Sequence, residues 1–77
     1  MRNLKPKTWF GSTRCDICSE PIPRQIGSIL VDACVPNDGR WATMHGRCAT
    51  NKGVHHYGTG LGQKYSYDGE NFVKVLG

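Results

Sequence analysis

Two short stretches, Cys15-Asp16-Ile17-Cys18 and His45-Gly46-Arg47-Cys48, decide how this chain folds. Each carries two metal-ligand side chains at a three-residue step, and residues 19 to 44 separate them. In a turn, or in the first turn of a helix, that step places both side chains on one side of the backbone. Two such pairs therefore close a tetrahedral site of three cysteines and one histidine, Cys15, Cys18, His45 and Cys48, without strain. Between the pairs, Pro21-Ile22-Pro23 resists both helix and central strand. Ser28 to Val35 (SILVDACV) is apolar and β-branched, Pro36-Asn37-Asp38-Gly39 is a turn, and Arg40 to Met44 (RWATM) returns as a second strand. After Cys48, residues Ala49 to Lys52 allow about one further helical turn before Gly53 stops it.

Knuckle, hairpin and short helix, in that order, predict a treble clef. A zinc ribbon would draw its second pair from another knuckle, and Gly46 keeps that alternative open. Beyond a glycine-rich loop over Val54 to Gly62, Lys64 to Tyr67 and Phe72 to Leu76 flank Asp68-Gly69-Glu70-Asn71 and predict a second, C-terminal hairpin. The expected fold is a small zinc-stabilised, β-rich α+β domain over residues 14–77, preceded by a basic, flexible arm over residues 1–13. Within that arm, Trp9 and Phe10 either pack on the core, the commoner fate of aromatics, or stay exposed as anchors.

A chain of 77 residues buries too little apolar surface to be comfortably stable without a staple. Four cysteines supply it as two disulfides or as a metal site, and the compartment decides between them. No apolar run has the length of a signal peptide or a membrane span, which predicts a cytoplasmic protein with reduced thiols and no membrane partner. One structural Zn2+ is the expected cofactor. Cys34 has no partner at ligand spacing and reads as a core or hairpin residue. An all-cysteine site with Cys34 in place of His45, or a fourth ligand from His55 or His56, stays open.

Four protein ligands leave no position for a reactive water, and neither a Ser-His-Asp constellation nor paired carboxylates accompany them, so no enzyme is expected. A redox role for the C-x-x-C would need a longer βαβ-containing chain. Gly58-Thr59-Gly60-Leu61-Gly62-Gln63-Lys64 lacks the order of a phosphate loop and reads as a tight loop wrapped around the zinc lobe. No small-molecule substrate is evident.

Charge is uneven. The formal net charge is +4, and Arg2, Lys5, Lys7 and Arg14 face no acid within residues 1–14, whereas the basic and acidic side chains of residues 15–77 balance. Such an arm favours polyanions or acidic protein surfaces.

The motifs C-D-I-C-x-x-P-I, V-D in the first strand, W-A-x-M before the second ligand pair, G-T-G-x-G-Q-K-Y and a final F-V-K-V-x-G together resemble those of small bacteriophage zinc-binding proteins of treble-clef or zinc-ribbon type. The resemblance runs from about Cys15 to Gly77. Members carry a cysteine where this chain has His45, an exchange zinc tolerates, and Cys34 and the basic arm also depart from their pattern. It implies a phage protein acting in the host cytoplasm and carries no activity over. Two partner classes follow from the surface. The first is nucleic acid, met by Arg2, Lys5, Lys7 and Arg14, with Arg40, Arg47, Lys52 and Lys64 as a second patch. The second is a host protein, modulated through Trp9, Phe10, Trp41 and Tyr57.

Overall fold

The computed structural model describes residues 7–77. Five elements follow in chain order: β1 (Ile29–Cys34), β2 (Trp41–His45), α1 (Gly46–Asn51), β3 (Gly62–Tyr67) and β4 (Phe72–Leu76). Both expected hairpins form. Val35 and Arg40 close the first through the amide of Val35 on the carbonyl of Arg40, with Asn37 and Gly39 at φ 69 and 79°. In the second, the Asp68 carboxylate accepts the N–H groups of Glu70 and Asn71, both at 2.8 Å, an Asx turn that lowers its pKa.

The two hairpins are one sheet. Strand β1 pairs with β2 on one side and β3 on the other, giving a fully antiparallel order β2-β1-β3-β4. Leu30 and Val31 are adjacent in β1, point to opposite faces, and are both completely buried, so the central strand is covered on both sides. Register puts Leu30, His45 and Tyr65 on one face and Val31 and Met44 on the other. Helix α1 packs on β1 and β2 and begins at Gly46, where a Cβ would stand 3.2 Å from Ile29. Its end is a Schellman motif. The Gly53 amide donates to Thr50, the Val54 amide donates to Ala49, and Gly53 takes φ 87°. The stop expected at Gly53 is thus met by that glycine's left-handed backbone.

Both outer edges of the sheet are occupied, which removes the pairing hazard of a bare edge. The knuckle covers β2, with the Asp16 amide on the Thr43 carbonyl (2.7 Å) and the Thr43 amide on the Asp16 carboxylate (2.8 Å). Along β4 lies the chain around Thr8, which bridges to Val73. The Trp9 amide donates to Phe72 and the Lys74 amide to Lys7. Trp9 settles at 5.5 Å from the Tyr65 ring, so from Lys7 onward this part of the segment read as an arm is docked on the sheet. Arg2 and Lys5 lie outside the described residues.

The glycine-rich loop sits elsewhere than expected. Its Leu61 carbonyl receives the Cys34 amide, and Gly62 pairs with Ala33, at the end of β1 remote from the ligand pairs. Gly62 has φ 149°, and a Cβ there would lie 2.4 Å from the Ala33 side chain. Gly62→Ala is therefore expected to destabilise the fold by about 1–3 kcal/mol through overpacking, read as a lower midpoint in urea unfolding, while metal stoichiometry stays unchanged.

Candidate metal centre

The four residues predicted as ligands come together. One ligand atom from each of Cys15, Cys18, His45 and Cys48 lies within 4.8 Å of the others, a group that can hold one metal ion. Among the described residues no other cluster of this kind occurs. All four cysteines are free thiols.

Local structure explains the convergence. The knuckle is closed by the Ser19 amide on the Cys15 carbonyl and the Cys15 amide on the Glu20 carbonyl, and Ser19 takes φ 68° to complete the turn. The Ile17 amide points at the Cys15 sulfur, 3.4 Å away. His45 ends β2 and is the N-cap of α1, so the strand aims its ring and the helix sets Cys48 one turn on. Cys18 Sγ is 3.4 Å and Cys48 Sγ 3.9 Å from His45 Nδ1. The other ring nitrogen, Nε2, lies 3.1 Å from the Pro21 carbonyl. A carbonyl only accepts, so Nε2 carries the hydrogen and Nδ1 presents its lone pair to the thiols. That outer hydrogen bond fixes both tautomer and ring orientation, as partners of metal-bound histidines do.

The thiols differ. Burial disfavours ionisation of Cys15, yet the amides of Cys18, His45 and Ile17 outweigh it and lower its pKa to about 6. Burial and the neighbouring sulfurs of Cys15 and Cys18 push Cys48 up to about 11. Without a cation, then, negative charge collects beside a thiol that must stay neutral. A bound dication removes that conflict by taking the Cys48 proton's place.

The alternative ligands stand apart. Cys34 ends β1 opposite Trp41, half-buried, and lines a separate small cavity with His55 and His56, both exposed. The basic residues are scattered. Arg14 donates to the Ser19 carbonyl. Lys7 is near enough to Asp32 to oppose the upward push that burial gives that carboxyl. Arg40 is paired with Asp38 at 3.1 Å and lies at the opposite end of β2 from Arg47. Lys52 caps α1, and Lys64 stands 5.9 Å over the Tyr57 ring. Arg24 lines a cavity with Phe10 and Tyr67. No spacing in the sequence singled it out, because only the fold brings residue 24 beside residue 10. No protein-family model, curated protein or solved structure matches the chain.

Cys15→Ser, Cys18→Ser, His45→Ala and Cys48→Ser are each expected to lose the metal or the fold, whereas Cys34→Ser keeps one ion per chain by native mass spectrometry. The pH dependence has a definite sign. At neutral pH Cys48 (about 11) must release a proton to bind metal while Cys15 (about 6) is already ionised, so affinity should rise at least about tenfold per pH unit between roughly pH 7 and 8. Competition titrations with a chromophoric chelator measure it, and a flat profile would contradict the thiol assignment.

Proposed function

We propose that the chain is a structural zinc module of treble-clef type that offers its basic N-terminal segment to nucleic acid, in keeping with the small phage zinc proteins it resembles. The carrying observation is the closed group of three cysteines and one histidine. Zn–S bonds of about 2.3 Å and Zn–N bonds of about 2.0 Å in a tetrahedron imply S···N separations of about 3.5 Å. The observed 3.4 and 3.9 Å bracket that value. Three thiolates and an imidazole suit zinc by softness and geometry, and four protein ligands fill its shell, so the metal's work is to hold the knuckle, the β1–β2 hairpin and α1 together rather than to activate water. On this reading the protein is not an enzyme and acts in the host cytoplasm.

The nucleic-acid half of the reading rests on the acid-free basic segment around Arg2, Lys5, Lys7 and Arg14. Phosphate contacts from such a segment hold a partner in register without reading its sequence. A second reading, modulation of a host protein, is favoured by one observation: Trp41 is 51% exposed at the start of β2, beside Ile17 on the knuckle. Exposed tryptophans are frequent anchors of protein interfaces.

Two measurements test the proposal. The purified protein should hold about one zinc per chain and lose its folded circular-dichroism signal on chelation; a folded, metal-free protein would refute the zinc module. Replacing Arg2, Lys5 and Lys7 together with Gln should leave zinc content unchanged and reduce the slope of log affinity for DNA against log salt by about 2 to 3. Absence of any binding at low salt, with a stoichiometric host protein captured instead, would favour the second reading.

A further inference from the structure

Phe10 is 92% exposed, the most exposed large apolar side chain among the described residues, while its neighbour Trp9 is docked on Tyr65. This is a held geometry, not a loose end. The Trp9 amide donates to Phe72, its indole Nε1–H donates to the Ser12 carbonyl at 2.9 Å, and the Arg14 amide donates to the Ser12 hydroxyl. Gly11 lets the indole lie against the backbone, since a Cβ there would meet the Trp9 ring at 2.5 Å. The turn is closed beneath Phe10 and displays its ring outward.

Beside that ring is a cavity of about 230 Å³ whose walls include Phe10, Tyr67 and Phe72, with Arg24, Glu70 and Asn71 supplying polar groups. It is smaller than the roughly 300–1,000 Å³ of sites for drug-sized ligands. It suits one flat ring rather than a whole nucleotide. Tyr67 and Phe72 brace each other edge to face at 5.0 Å, so the aromatic wall is rigid.

The geometry points to a slot in which one unpaired base of a single-stranded nucleic acid stacks on Phe10, with Arg24 taking an adjoining phosphate. This rests on the nucleic-acid reading above and names its substrate class and its site. Charge complementarity supports the occupant: Phe10 stands in the chain between Lys7 and Arg14, with no acid between them. Arg24 adds a cation on the rim against one acid, Glu70. A carboxylate repels phosphate but accepts from a base amino group, which places Glu70 with Asn71 toward the base edge. Duplexes hide their base faces in the stack, whereas single strands offer them to aromatic side chains.

The test is fluorescence-anisotropy titration of the full metal-replete chain with a labelled single-stranded oligonucleotide and a duplex of equal length, at several salt concentrations. Phe10→Ala should weaken single-strand binding about tenfold, leave duplex binding and the salt slope unchanged, and leave the melting temperature unchanged because the ring is solvent-exposed. Phe10→Trp should retain the parent affinity. Arg24→Gln should lower the single-strand salt slope by about 0.7. Parent-like binding by Phe10→Ala overturns the slot while leaving nucleic-acid binding in place. If the parent binds neither oligonucleotide, the underlying reading fails and the slot with it.

Discussion

The knuckle, β2 and α1 meet at His45. One residue ends β2, caps α1, faces the sulfurs of Cys18 and Cys48 through Nδ1, and donates through Nε2 to the carbonyl of Pro21. It is buried, and each of its ring nitrogens has a partner. Were the ring to rotate, the link between the segment after the knuckle and the start of the helix would be lost together with the ligand nitrogen. The tautomer is imposed from outside the metal group by a backbone acceptor that has no other chemistry to offer.

That constraint matters because the rest of the structure is thin. The helix spans only Gly46–Asn51, and the core is a short set of side chains centred on Leu30, Val31 and Met44. Small domains have stabilities of about 5–15 kcal/mol, and structural zinc sites in finger peptides contribute about 10–16 kcal/mol of binding free energy. An ion in the proposed site can thus supply as much as the whole core leaves after conformational entropy. Cys15, whose pKa is lowered, and Cys48, whose pKa is raised, face one pocket, and a bound cation would hold both as thiolates.

The periphery follows a second logic. Each sheet edge is closed by a segment that stands next to a candidate recognition residue: the knuckle sets Ile17 beside the exposed Trp41 of β2, and the Thr8 segment carries Phe10 at the β4 edge. In the Thr8 segment, covering an edge and displaying a side chain are done by the same stretch of backbone. The Trp9 indole serves both, since it packs on Tyr65 while its N–H closes the turn that exposes Phe10.

Local chemistry was legible in the sequence. The three-residue steps at Cys15-Cys18 and His45-Cys48, the Asn37-Gly39 and Asp68-Asn71 turns, and the stop at Gly53 each depend on a few neighbouring residues whose backbone preferences are strong, so ligand group and hairpins were readable one by one. What only the tertiary structure decided involves partners far apart in the chain. The joining of two hairpins through β1 and β3 depends on matching Ala33 to Gly62, a close approach that no periodicity announces. The opposite fates of Trp9 and Phe10 depend on Tyr65 of β3 and Phe72 of β4 being in place, and Arg24 and Phe10 line one cavity only because the loop after the knuckle folds back. Aromatic and charged residues carry the same local signal whether they are buried or displayed; the packing of distant strands determines which of the two they become.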